Sequence, residues 1–343
     1  MKALLLTAYK KLEVTKVPEP EMAADEVIVR IAACGICGSD IHGYDGSSGR
    51  RIPPLIMGHE AAGVIERVGD QVEGYRISDR VTFDSTVFCG DCDYCAKGDI
   101  NLCEDRMVLG VSCDEYRRDG AFAEFVNIPA RILHRVPDAL PLEHAAMVEP
   151  VSVAVHAVSR SALGEDNSVL VVGAGMIGLL VVQVLRHHGC SPIVAVDLSD
   201  DRLKLASSFG ATHTCNPSEV DAASLIGELT NGEGLDSSFE VVGSTPTVQL
   251  AIEAVRKGGD VTLIGNLAPI VDFPLQSVVT RELTLHGSCA SRGEYPECIE
   301  LMASGAIDVA PLISAEVSLE EGPELFAKLY AGSPSTMKVL IKP

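Results

Sequence analysis

The sequence predicts an α/β protein of two domains: a partly open β-barrel built from the first part of the chain and a doubly wound parallel sheet that starts near residue 152. Three observations carry this. The chain has 343 residues, enough for about two domains. Residues 1–33 and 60–88 alternate apolar and polar side chains between Gly and Pro turns, the pattern of half-buried strands. From Asn167 the pattern changes to SVLVVGAGMIGLLVVQVLRHHGCSPIVAVD. An apolar strand, a Gly-rich turn, an apolar helix and a second apolar strand make the βαβ unit of a parallel sheet.

Composition narrows the function. A hydrophobic content of 47% supports sizeable cores. No run of 18 apolar residues occurs, so no membrane span is expected. The opening MKALLLTAYKKLEV lacks a full apolar signal region and reads as a first strand, so a cytoplasmic location is expected. A net charge of −21 argues against nucleic acid and anionic membranes as partners. Of 11 cysteines, four fall within residues 89–103, and in a cytoplasmic chain such a cluster points to metal and not to disulfides.

In the first strands, Pro18 and Pro20 punctuate the pattern. Cys34 and Cys37 imitate a redox pair, but no thioredoxin-like βαβ pattern surrounds them, and Cys34 reads as inert. The stretch CGICGSDIHGYDGSSGRRIPPLIMGHEAAG then offers Cys37, His59 and Glu60. One sulfur, one imidazole and one carboxylate are the ligands a catalytic zinc takes, with a position left for water or substrate. Cys37 and His59 are 22 positions apart, so the fold must bring them together. Ser39 suits a helix N-cap and His42 an exposed loop. Further on, Cys89, Cys92, Cys95 and Cys103 are spaced C-x2-C-x2-C-x7-C. Four thiolates so close wrap one ion tetrahedrally and leave no open position, as in a structural zinc site; an iron–sulfur cluster is the alternative.

In the second domain Gly173-x-Gly175-x-x-Gly178 follows an apolar run, and Met176, Ile177 and Gly178 open an apolar helix. Asp197 closes the next strand, 19 residues after Gly178. Strand, glycines, helix and acid together predict a dinucleotide site with the pyrophosphate at the helix N-terminus. Asp197 would accept from the ribose hydroxyls and repel a 2′-phosphate, so NAD is expected over NADP. Arg202 is the opposing signal, since it can hold a phosphate or simply lie over the adenine. A strand is expected near Ser238–Val242, a helix near Val248–Arg256, and strands near Val261–Ile264 and 283–289. Pro141 should start a helical pattern, with a break at Glu149 before Pro150.

GHEAAGVIERVG, CGSDIH, Asp79-Arg80-Val81, GAFAEF and the four-Cys lobe together resemble the zinc-dependent medium-chain dehydrogenase/reductase family, in its polyol (sorbitol) and threonine branch. Ser78 departs from the pattern, standing where the family has glycine. The GAFAEF piece, residues 120–125, corresponds to a family strand. The resemblance implies a GroES-like zinc domain over residues 1–151 and 291–343 and a Rossmann domain over 152–290, with the active site in the cleft between them. It implies that Ser39 and His42 relay a proton, while Asp40 is structural or supports a zinc ligand from behind. Glu149 stands where the simple alcohol enzymes carry Cys. Either Glu60 or Glu149 then completes the Cys37–His59 zinc site, the other acting through water. Glutamate makes the site harder, which suits polyhydroxyl substrates. Arg292 would hold a substrate hydroxyl or phosphate, or else form a surface salt bridge.

The implied activity is zinc- and NAD-dependent oxidation of a secondary alcohol, in a polyol, a sugar phosphate or another vicinal-hydroxyl compound. A 3-hydroxy amino acid such as threonine, or a simple secondary alcohol, is the alternative. A non-enzymatic NAD-binding protein would have lost Cys37, His59 or the glycines, and all are present. The resemblance also implies a homodimer or homotetramer.

Overall fold

The strand Glu26–Gly35 is the spine of the N-terminal half. Val27, Val29 and Ile31 alternate into the core, and the strand pairs antiparallel with Glu60–Val68 along nearly its whole length. Its other edge is shared by Phe125–Pro129 and the C-terminal strand Lys338–Lys342. The last pairing sets Leu340 opposite Gly35 and Ile341 opposite Cys34. The end of the chain therefore runs beside the stretch that carries Cys37. Leu4, Leu6, Phe83, Phe122 and Phe326 fill the core of this half.

The computed structural model describes residues 1–332 and 336–343. They form two compact units, Met1–Glu149 with Arg292–Pro343, and Pro150–Ser291. The second unit is a sheet of six parallel strands: Val169–Val172, Ile193–Val196, His213–Cys215, Leu235–Glu240, Val255–Leu263 and Thr284–Gly287. In space they run third, second, first, fourth, fifth, sixth. The order reverses between the first and fourth strands, and ligands of such sheets bind at that switch, outside the strands' carboxyl ends. No helix among the described residues is long and apolar enough to cross a membrane.

Three local expectations are corrected. Glu149 and Pro150 do not break a helix; both lie in the first turn of the helix Val148–Ser159. The first amides of a helix have no internal partner, so the missing N–H of Pro150 costs nothing there. Residues 120–124 precede the strand, which starts at Phe125. Their amides are used elsewhere: Gly120, Ala121 and Phe122 donate to the carbonyls of Ile56, Gly58 and Met57, at 2.7, 2.8 and 3.0 Å. These bonds brace the turn that delivers His59. In the second unit the expected helix begins earlier, at Thr245, because Ser244 and Thr247 form a capping box.

Candidate metal centres and dinucleotide turn

Cys37 is the N-cap of the short helix Gly38–Tyr44, and His59 immediately precedes the strand Glu60–Val68. Strand register closes the gap between them. Cys34 pairs with Ala61 and Gly35 with Glu60. Glycine at 35 leaves room for the Glu60 carboxylate, since a Cβ there would lie 2.2 Å from Glu60 Oε2. As a result the thiol sulfur of Cys37, an imidazole nitrogen of His59 and a carboxylate oxygen of Glu60 all lie within 4.8 Å of one another.

Charge is arranged tightly around this group. Asp40 is fully buried and accepts from the Cys37 amide at 3.1 Å. Its Oδ1 lies 3.5 Å from His59 Nδ1 and 3.6 Å from Arg51 Nη2. Burial alone would raise the Asp40 carboxyl, but His59 and Arg51 hold it below the usual range. Burial would lower the His59 imidazole, but Asp40 and then Cys37 hold it well above its usual value. A metal there displaces that proton. On the far side, Lys338 Nζ reaches both oxygens of Glu60, at 2.8 and 2.5 Å, and also donates to the Ile36 carbonyl at 3.0 Å.

Glu149 stands beside this group but outside the set of three. Ser85 Oγ donates to its Oε1 at 3.2 Å. Burial, partly opposed by His59, pushes its carboxyl up to about 7. Asp84, which nothing in the sequence pattern marked, is 2% exposed and accepts from the Thr86 amide at 2.8 Å. Burial pushes it up to about 7 as well, against the Thr86 amide and with help from Glu149. An Asp closing the apolar strand RVTF was the available signal, as was the Lys opening the apolar strand KVLIK for Lys338.

Ser39 and His42 are three residues apart on the helix Gly38–Tyr44, hence on one face, and both are exposed. Ser39 is the second helical residue, so the N-cap reading does not apply. Arg51 Nη2 donates to its Oγ at 3.4 Å. Arg292 forms the salt-bridge alternative: its Nη1 meets Asp99 Oδ1 at 3.1 Å, and its amide donates to Glu294.

The sulfur atoms of Cys89, Cys92, Cys95 and Cys103 also gather within 4.8 Å. Cys89 lies 3.9 Å from Cys95 and 3.5 Å from Cys103. Sulfurs about 2.3 Å from one tetrahedral zinc would be about 3.8 Å apart, so the donor set fits the ion. Amides of Cys95 and Glu104 lower the Cys92 thiol to about 6. Cys34, by contrast, is driven well above the usual range by burial and then by Asp40 and Glu60.

In the second unit Gly175 N-caps the helix Met176–His187. Gly173 has φ +101°, and a Cβ on Gly178 would lie 1.8 Å from the Gly173 carbonyl oxygen. The turn is therefore open only to glycine at both positions. Asp197 ties it down: Oδ2 accepts from the Ala174 amide at 2.8 Å and Oδ1 from the Ser199 amide at 2.9 Å. Arg202 Nη1 lies 3.8 Å from Asp197 Oδ2.

Comparison with known proteins agrees with both halves. Residues 23–138 match the alcohol dehydrogenase GroES-like domain and residues 177–304 the zinc-binding dehydrogenase domain. The chain is 33% identical to sorbitol dehydrogenase of Bacillus subtilis, covering 100% of this chain and 97% of that protein. The chain belongs to the zinc-dependent medium-chain dehydrogenase family. Another member, D-xylulose reductase A of Aspergillus oryzae, is 33% identical over 96% of this chain and 94% of its own. The solved structure of galactitol-1-phosphate dehydrogenase from Escherichia coli superposes with a TM-score of 0.93 at 30% identity and 100% coverage of both chains. The family's two domain folds, a GroES-like β domain and a Rossmann sheet, are those described above.

Proposed function

We propose that this protein oxidises a secondary hydroxyl of a polyol, free or phosphorylated, with NAD as hydride acceptor. The observation that carries the reading is the convergence of Cys37, His59 and Glu60, with a second carboxylate, Glu149, at their side. The donor set suits zinc, and the buried His59 Nδ1 that faces Asp40 leaves the other ring nitrogen to coordinate. Cys37, His59 and a glutamate would hold the zinc, which would supply a Lewis acid for the substrate oxygen, and the glycine turn would hold NAD, which would supply the hydride acceptor. The chain does the rest. Ser39 accepts the substrate's hydroxyl proton and passes its own toward His42, which is exposed and can release it to water. Asp40 fixes the His59 ring. Lys338 grips both oxygens of Glu60, so Glu149 is the carboxylate better able to approach the metal. The four cysteines would hold a second zinc, with no part in the chemistry.

The names of the relatives support a polyol or polyol phosphate. Asp197 supports NAD, because a carboxylate at the end of the second strand repels a 2′-phosphate. Eleven cysteines without a disulfide among the described residues fit a reducing cytoplasm. The exposed Leu267, Ile270, Leu275 and Val279, together with the edge strand Thr284–Gly287, support a homodimer or homotetramer; light scattering tests this.

The function is tested by measuring zinc content and NAD reduction on sorbitol, xylitol, galactitol, their phosphates, threonine and simple secondary alcohols. About two zincs per chain and turnover of a polyol are expected. Turnover of threonine alone would move the protein to the 3-hydroxy amino acid reading. One zinc and no turnover of any alcohol would overturn the proposal.

A further inference from the structure

Arg51 lies in the loop between the Cys37 helix and His59, and nothing in its local pattern marked it. Yet its side chain is only 6% exposed, with its positive charge set against the fully buried Asp40. Its backbone is anchored on both sides, with Ile52 donating to Ser112 at 3.0 Å and Ser112 donating to Arg50 at 3.2 Å. The stem lies against the backbone of Gly43, where a Cβ would come 2.1 Å from Arg51 Cγ. The guanidinium is thus held in one place, with Nη1 on the Arg50 carbonyl at 3.1 Å and Nη2 between Ser39 Oγ at 3.4 Å and Asp40 Oδ1 at 3.6 Å.

We propose that Arg51 is a positioning residue that couples the histidine of the zinc site to the proton path. One nitrogen, Nη2, serves the carboxylate that faces His59 and the hydroxyl that receives the substrate proton. The inference rests on the relay reading of Ser39 given above.

The stereochemistry is specific. A hydroxyl has one proton to give and two lone pairs. With one lone pair taken by Arg51, Ser39 keeps the other for the incoming substrate proton and its own O–H to send toward His42. An O–H bond forms at Ser39 as the substrate's O–H bond breaks, and the original Ser39 proton leaves for His42; bound NAD would be the acceptor for the hydride and its electron pair. A fixed cation beside Oγ opposes any build-up of positive charge there, so arrival and departure of the proton are coupled. At the other contact, Arg51 Nη2 lies 3.6 Å from Asp40 Oδ1, which itself lies 3.5 Å from His59 Nδ1, so the guanidinium braces the carboxylate that orients His59.

The test is a double-mutant cycle on the zinc-loaded enzyme with Arg51→Gln, Ser39→Ala and the pair. Arg51→Gln is expected to lower kcat about tenfold with KM for the polyol little changed, and to raise the solvent isotope effect on kcat. In the Ser39→Ala background the same change should cost less than about twofold. Chelator competition should show the non-Cys-lobe zinc bound up to about tenfold more weakly in Arg51→Gln. Gly43→Ala, which crowds Arg51 without altering any polar group, should shift kcat and the isotope effect in the same direction, and it carries the test if Arg51→Gln does not fold. Losses that multiply in the pair, with wild-type zinc affinity, would overturn the proposal and leave the relay standing. A wild-type kcat and isotope effect in Gly43→Ala would overturn it too. A wild-type kcat in Ser39→Ala would remove the relay itself.

Discussion

Lys338 and Glu60 are 278 positions apart in sequence, and their side chains meet at 2.5 Å with only 4% and 2% exposed. The pairing is made by the C-terminal strand, which lays Leu340 against Gly35 while Glu60 pairs with Gly35 from the other side. Burial would lower the ammonium, but Glu60 and then Cys37 hold it raised. Lys338 is therefore a fixed positive charge at the edge of the zinc site, and it neutralises one of the two carboxylates there.

Replacing Lys338 with Met should leave Glu60 charged, buried and unpaired. The expected cost is about 3–5 kcal/mol in denaturant unfolding. The pair Lys338→Met with Glu60→Gln should recover most of it, because neither position is then left with an unpaired buried charge. A loss under about 1 kcal/mol in the single variant would show that water reaches Glu60.

The four-Cys lobe and Arg292 give a second prediction. Cys103→Ser should remove one zinc per chain and lower Tm, since that sulfur lies 3.5 Å from Cys89 and is buried. Arg292→Ala should change stability by about 1 kcal/mol or less, because the Asp99 pair is largely exposed, with side chains 45% and 29% accessible. It should leave KM for the polyol within about twofold. A tenfold rise in KM would return Arg292 to the substrate site.

How far the sequence could be read depended on whether a residue's partner was local. The glycine turn, Asp197 and the four cysteines carry their geometry in their spacing, so they could be named without a fold. Cys37, His59 and Glu60 could be named from ligand chemistry, but their approach depends on the register of Glu26–Gly35 against Glu60–Val68. The roles of Lys338 and Arg51 were not legible, because each acts on a partner supplied by another segment, and Asp84 was signalled only as an acid at the end of a strand. Pro150 misled for a different reason. A proline read as a helix breaker is harmless in the first turn, and only the helix start at Val148 reveals which applies.

Asp197 should control the choice of cofactor. Its two oxygens hold the Ala174 and Ser199 amides, so the same carboxylate shapes the turn and supplies negative charge. Asp197→Ser should raise KM for NAD about tenfold and improve activity with NADP relative to NAD, since Arg202, now 3.8 Å from the carboxylate, would be released toward a phosphate. Steady-state kinetics with both cofactors decide it. Unchanged selectivity would mean that Asp197 only holds the turn.

His134 makes acid sensitivity testable. Its ring stacks on the buried Tyr295, with centroids 5.0 Å apart, and burial lowers it from 6.5 to about 4. Below about pH 6.5 the unfolded chain takes up a proton that the folded chain refuses. The stabilisation from the neutral ring is therefore complete above that pH and is lost as pH falls toward 4, by at most about 3 kcal/mol. Asp84 and Glu149, both pushed up to about 7, slope the other way: the folded chain holds their protons where the unfolded chain has released them, so stability falls as pH rises toward 7. The opposing slopes hide each other in the wild type. The difference in unfolding free energy between wild type and His134→Phe removes the carboxyl contributions and should grow between pH 4 and 6.5. A difference independent of pH over that range would show that the ring is protonated in the fold.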